Sequence, residues 1–350
     1  MRRIVVMLVA FAAVSSACSG EAEVTTTTPP PVATTVTVAP TTTAPGPTAT
    51  TTTTAPVGPG WPLTGEPVEG ADTEGVVLVA KIDNTSNSRP QLGLDAADMV
   101  IEVLVEGGIP RLLAFFQSTI PEEVGPIRSA REVDPKLLLP FGALFAYSGG
   151  ETHVVSAVRE VTTDVGFADL GSEAYYRADD RPSLYDIVLR TGDVITAQPP
   201  PAPQGQWLTF GPTPTGGEQA LSVELHQSSL NIVNYRYSTA DGGYLRFNGE
   251  TPATAVGSSQ LVADNVIVMF VEVIDTGRTD SSGSKVPDYQ VLGEGDVVVF
   301  RDGRVFPGAW ERFDQREFFS FVTAAGREIP LAPGTTWIEL VPVGRLLTWK

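Results

Sequence analysis

Phe141-Gly-Ala-Leu-Phe-Ala-Tyr147 is a short apolar run that stops at Ser148-Gly149-Gly150, and Val154, Val155, Val158 and Val161 follow at near-helical spacing. The run has the length of a strand, the glycines break it, and the valines line one face of a helix. Strand, glycine turn, helix is therefore the reading, and it makes this half of the chain α/β or α+β. Upstream lie three more apolar runs rich in β-branched residues: Gly75-Val-Val-Leu-Val-Ala-Lys-Ile82, Met99-Val-Ile-Glu-Val-Leu-Val105 and Leu112-Leu-Ala-Phe-Phe116. Each reads as a buried strand. The first two are separated by Asp83-Asn-Thr-Ser-Asn-Ser-Arg-Pro90, a polar loop of turn formers. Downstream, Pro182 at a first helical turn predicts a helix through Leu189, closed near Gly192.

Beyond a Pro- and Gly-rich passage from Ala197 to Gly217, strands dominate. Leu221–Leu225, Ile232–Tyr237, Tyr244–Phe247, Val266–Ile274, Val297–Phe300, Phe318–Val322 and Trp337–Val341 all read as extended. Asp302-Gly303 between two apolar runs signals a tight hairpin. Trp310, Phe313, Phe318, Phe319, Phe321 and Trp337 read as sheet-packing core, although a carbohydrate-stacking platform draws on the same residue types. The fold class is α+β: a mixed α/β N-terminal domain over residues 61–215, then a smaller β-rich C-terminal domain over 216–350.

The first sixty residues are of another kind. Met1-Arg2-Arg3, the apolar stretch Ile4 to Val14, and Ser15-Ser16-Ala17 before Cys18 have the anatomy of a signal peptide. The stretch is too short to span a bilayer. A lone cysteine at its end reads as a lipoprotein processing site, with Ser15 standing where Leu or Val is usual. Residues 1–18 are thus a lipoprotein signal peptide, and lipidated Cys18 anchors the chain to the outer, extracytoplasmic face of the bacterial cell membrane. Residues 19–60 are a Thr/Pro-rich stalk with too few large apolar residues to fold. The chain's net charge is −18, and the four charges of this leader and stalk cancel, so the excess lies on the body. An acidic body is repelled by nucleic acid and by anionic headgroups. With one cysteine and two histidines, His153 and His226, no disulfide or Cys/His zinc cluster can be built, and neither cofactor nor metal is implied.

The sharpest local chemistry is Val124-Gly-Pro-Ile-Arg-Ser-Ala-Arg131, followed by Asp134. Arg128, Ser129 and Arg131 leave one turn together, and two guanidiniums with a hydroxyl can clamp a carboxylate or phosphate. Arg89 and Arg111 flank nearby strands and can join them, and Gly149-Gly150 ahead of a helix can offer backbone N–H groups to an anion. The alternative is that these arginines pair with Glu102, Glu106 or Asp134 and pin loops together. Ser129 or Ser148 as a nucleophile would need a base, and no spacing supports a triad with His153 and Asp169.

Lys81-Ile-Asp-Asn84, Arg89-Pro-Gln-Leu-Gly93, Ala97-Asp98, Val105-Glu-Gly-Gly108, Arg111 and the Gly125–Arg131 run resemble the YerB-like lipoproteins, a bacterial domain family of unknown function. Asn265-Val266, Gly303, Trp310 and Gly334-Thr-Thr-Trp-Ile-Glu-Leu-Val-Pro342 resemble that family's smaller C-terminal domain. The resemblance implies an envelope lipoprotein of two linked domains and no established reaction. Where the family is expected to carry Pro-His-Asn-Leu-Tyr, this chain has Arg181-Pro-Ser-Leu-Tyr185 and lacks the histidine. The functional expectation is a non-enzymatic module that binds a ligand or partner at the cell wall, peptidoglycan or an envelope protein, through Arg89, Arg111, Arg128, Ser129, Arg131, Gly149 and Gly150. The alternatives are a structural scaffold, or a wall-acting hydrolase or transferase using Asp83, Glu102 and Glu106 as acid and base.

Overall fold

Every residue of Leu78–Asp83 (β1), Met99–Leu104 (β2) and Pro110–Phe116 (β3) is buried. Strands covered on both faces read as continuous apolar runs, which is why these three were visible in the sequence. The computed structural model describes residues 60–68, 76–197, 207–229 and 231–350. The signal peptide, Cys18 and all of the stalk before Gly60 lie outside the described residues.

Further along, the first half contributes Glu123–Val124 (β4), Asp134–Leu138 (α1), Leu144–Ala146 (β5), Thr152–Val161 (α2), Thr163–Asp164 (β6), Phe167–Leu170 (α3), Tyr175–Arg177 (β7), Ile187–Arg190 (β8) and Thr191–Ala197 (α4). The second half is all strand: Glu218–Gln219 (β9), Ser222–His226 (β10), Ile232–Ser238 (β11), Gly243–Asn248 (β12), Thr251–Pro252 (β13), Val262–Ala263 (β14), Asn265–Val271 (β15), Val273–Thr279 (β16), Lys285–Tyr289 (β17), Gly293–Arg301 (β18), Arg304–Arg312 (β19), Ser320–Val322 (β20), Thr336–Pro342 (β21) and Leu347–Trp349 (β22). Helices accompany the first half's strands and none occurs among the described residues of the second, in keeping with the α+β expectation.

One long sheet runs β20-β19-β18-β15-β21-β2-β3-β1-β5-β6, with β9 against β19. Its centre is parallel: β2 and β15 both flank β21 in parallel, while β3 runs antiparallel between β1 and β2. The pairing of β2 with β21 sets Glu102 beside Glu339 and joins residues from the two halves of the sequence in one sheet. The described residues from Gly60 to Lys350 belong to one compact unit. A second sheet, β13-β12-β11-β10-β22 with β14, packs on one face of the first. Ile82, Val100 and Leu112 belong to the core on that face, together with Val223, Val233 and Tyr244 of the second sheet. On the opposite face, α1 and α2 cover Val79, Ile101 and Phe115. Alternate residues of each strand feed opposite faces, so every central strand serves two cores.

Two local expectations are corrected. No helix runs from Pro182 to Leu189: Ile187–Arg190 is strand β8, pairing with β7 and β4. Its β-branched Ile187-Val188 step fits a sheet better than a short helix, and Leu184 has φ of 78°, which a right-handed helix excludes. Phe313 is not core either, being 69% exposed, whereas Trp310, Phe318, Phe319, Phe321 and Trp337 are buried. The Asp302-Gly303 hairpin stands as read, with both residues at positive φ between β18 and β19.

Candidate functional site

Strands β1 and β5 pair in parallel only as far as Ala80 and Ala146. Beyond that point the arginine turn enters between them. Asp83 donates its N–H to Pro126 O at 3.0 Å, and Arg128 donates to Lys81 O at 2.7 Å. On the other side, Ser148 donates to Arg128 O at 2.9 Å and Ala130 to Gly149 O at 2.8 Å. The turn thus wedges open the carboxyl ends of two parallel strands, the location where open α/β sheets present ligand crevices. Helix α2 starts just past Gly150, and no side chain caps its N-terminus.

Charge is concentrated here. Lys81 Nζ meets Asp134 Oδ1 at 2.7 Å with both side chains fully buried. Asp134 Oδ2 also accepts the Arg131 N–H, fixing the end of the turn. Arg128 Nε binds Asp83 Oδ2 at 2.6 Å, and its guanidinium lies 5.0 Å over the Tyr185 ring. Against its burial, hydrogen bonds from Thr85 and Arg128 hold Asp83 below the ordinary carboxylate range. Arg131 Nε binds Glu106 at 2.7 Å.

Arg111 is the exception. It is 7% exposed and donates one terminal nitrogen to Ser129 O at 2.9 Å, while its Nε has no partner. Among the described residues it makes no ion pair. Burial, then the neighbouring Arg131 and Arg128, pushes it down to about 10. A buried guanidinium without an anion is an uncompensated cost to the fold.

Of the residues expected from the sequence, the structure brings together Arg111, Arg128, Ser129, Arg131 and Gly149, with Gly150 alongside. A Cβ on Gly150 would lie 3.4 Å from Ala130 O. Arg89 is held apart, bonded to Asn84 Oδ1 at 3.0 Å and to the Asn84 carbonyl. Arg128 and Arg131 pair with acids and pin the turn, as the alternative reading expects, while Arg111 pairs with none of the described carboxylates. The Arg181–Tyr185 segment borders this site. Tyr185 stacks on Arg128, and Arg181 donates to Ser88 O and Pro90 O at 3.1 and 2.8 Å.

The three carboxylates considered for acid–base work are all engaged by cations. Asp83 and Glu106 hold Arg128 and Arg131, and Glu102, fully buried, binds Arg246. His153 lies with Glu132 and Glu151, their ligand atoms within 4.8 Å of one another, a set able to hold a metal ion. Arg278 supplies the positive charge there instead, contacting both glutamates and the imidazole.

Sequence reasoning missed a second buried polar cluster, centred on Arg246 from β12. Arg246 reaches Glu102, lies 3.7 Å from Glu339 and stacks 4.4 Å from Trp337. Tyr235 and Gln227 donate to Glu339, and Asn84 donates to Glu102 at 2.7 Å. Burial, then the charge of Glu102, pushes the Glu339 carboxyl up to about 8. A lone glutamate inside each of two apolar runs, Met99–Val105 and Trp337–Val341, was the available signal: such a carboxylate needs a buried cation.

These two linked segments are those of a known family. The model for the N-terminal domain of DUF3048, proteins of unknown function, matches residues 63–199, and that for its C-terminal domain matches 222–338. The chain belongs to that family. It is 29% identical over 293 residues to the putative lipoprotein YerB of Bacillus subtilis, covering 80% of this chain and 86% of that protein. The crystal structure of YerB from the same organism matches with a TM-score of 0.73 at 25% identity, over 83% of this chain and 99% of the other.

Proposed function

We propose that this protein is a lipid-anchored envelope lipoprotein whose arginine turn captures an anionic group of a cell-wall ligand or partner protein. The single observation that carries the reading is Arg111, a buried guanidinium with an unpartnered Nε–H, set between Arg128 and Arg131. A carboxylate or phosphate entering the wedge between β1 and β5 would supply the missing countercharge. The side chains of Arg128 and Arg131 are each 22% exposed, so the site is reachable from solvent. The engaged state of Asp83, Glu102 and Glu106 favours binding over acid–base hydrolysis. The anchor rests on the signal-peptide anatomy ahead of Cys18 and on the relative's name, putative lipoprotein. The body's negative charge argues against nucleic-acid partners.

The test is a pull-down with the full chain against solubilised wall and membrane extract, beside its Arg128→Ala/Arg131→Ala variant, both first shown to be folded by circular dichroism. Capture by the wild type and loss in the folded variant is the expected result. Equal capture by both would assign these arginines to holding the turn alone. For the anchor, Cys18→Ala is expected to move the protein from the membrane fraction to the soluble one.

A further inference from the structure

A cleft of about 580 Å³ opens over β19 and β20, at the edge of the long sheet away from β1 and β5. Its volume is in the range of small-molecule sites. The floor is aromatic and rigid: Phe141 packs 4.8 Å from Trp207 and 5.1 Å from Phe318, and Phe318 packs 5.0 Å from Phe319. On the rim, Phe313 leaves its ring largely in solvent. Its exposed ring presents a flat apolar face beside the polar cleft.

The polar lining is of mixed sign: Glu311, Glu317 and Glu328 stand with Arg312 and Arg316 around the cleft. Arg312 is 3% exposed, donates to the carbonyls of Glu317, Lys136 and Gln315 at 2.8, 2.7 and 2.6 Å, and lies 5.3 Å over the Phe319 ring. Its burial lowers it to about 10, with only Asp314 opposing. An anionic polymer would meet three carboxylates here, and a cationic one would meet Arg316 and the buried Arg312. A ligand that both donates and accepts hydrogen bonds without net charge satisfies both signs.

We propose that this cleft binds a neutral amino-sugar glycan strand, one sugar ring seated on Phe313 and its hydroxyl and acetamide groups bonded by the surrounding carboxylates and guanidiniums. Sugar rings present C–H groups on their faces and polar groups on their edges, which matches a phenyl platform ringed by Glu and Arg. That the glycan is supplied by the cell wall rests on the envelope reading above; the binding itself is a property of the cleft and is measured in solution.

The experiment is isothermal titration of the full chain, in a non-glycosidic detergent, with the β-1,4-linked tetramer of N-acetylglucosamine, and with maltotetraose as the comparison sugar. The tetramer is expected to bind with Kd below about 1 mM and more tightly than maltotetraose. Phe313→Ala is expected to weaken it about tenfold while melting with the wild type, and Phe313→Trp, which restores a platform, to retain it. The Arg128→Ala/Arg131→Ala variant is expected to bind the sugar unchanged. No binding of the tetramer beyond that of maltotetraose, or equal binding by Phe313→Ala, overturns the proposal. Failure of the anchor would appear instead as loss of membrane fractionation, with sugar binding intact.

Discussion

Glu102 and Glu339 occupy paired positions on adjacent parallel strands, both fully buried, and Arg246 from the second sheet reaches Glu102 and lies 3.7 Å from Glu339. The three side chains tie the long sheet to the short one and the first half of the chain to the second. Two carboxylates this close cannot both ionise cheaply without the guanidinium. Replacing Arg246 with Met should therefore cost about 3–5 kcal/mol, because it strands Glu102 in the interior. Replacing Glu102 and Arg246 together by Met should cost much less than Arg246→Met alone. Urea denaturation midpoints of the two variants against wild type check both statements, and a double variant as unstable as the single one would contradict them.

The same site sets a pH dependence. The Glu339 carboxyl is raised from 4.5 to about 8 by burial and by Glu102. A carboxyl raised in the folded state binds its proton more tightly there than in the unfolded chain. Its contribution is fully present below 4.5 and is lost as pH climbs through about 8. Within that window it should lower stability by up to roughly 1.4 kcal/mol per pH unit. Glu339→Gln keeps the shape and cannot ionise, so its melting temperature should vary less across the window than that of the wild type. Parallel pH profiles would overturn this assignment.

Much of the first half was legible because strands buried on both faces are unbroken apolar runs, and the Ser148-Gly149-Gly150 break stood out against them. The Pro182 helix was misread because proline at a turn and proline at a helix start look alike when the following Ile187-Val188 is short. The convergence of Arg111 with Arg128 and Arg131 depended on which strands neighbour β1, which no local pattern encodes. The Arg246 cluster was harder still: its members lie as far apart in the chain as Asn84 and Glu339. Only the isolated glutamates inside two apolar runs hinted at it.

Leu184 offers a local test of the segment that borders the arginine turn. It holds φ of 78° while 65% exposed, a left-handed conformation that costs a branched side chain roughly 1–2 kcal/mol. Leu184→Gly removes the strain and forfeits little burial. It adds unfolded-chain freedom, which takes back part of the gain. The net expectation is a rise in stability of up to about 1 kcal/mol, read as a higher melting temperature. A fall would mean that the Leu184 side chain supports the Tyr185 stack on Arg128.

Lys81 and Arg111 are both buried cations near the arginine turn, and they should respond in opposite ways. Lys81 is paired with Asp134, so Lys81→Met leaves a fully buried carboxylate and should cost about 3–5 kcal/mol. Arg111 has no carboxylate to strand. Arg111→Met removes an unpaired Nε–H and a desolvated charge, at the loss of the bond to Ser129 O, so the unliganded protein should melt close to wild type or above it. Inorganic phosphate and citrate, added in series, should then raise the melting temperature of wild type progressively with the logarithm of their concentration above Kd and leave Arg111→Met unmoved. A large destabilisation by Arg111→Met, with no response of the wild type to either anion, would make Arg111 a structural strut rather than the vacant half of an ion pair.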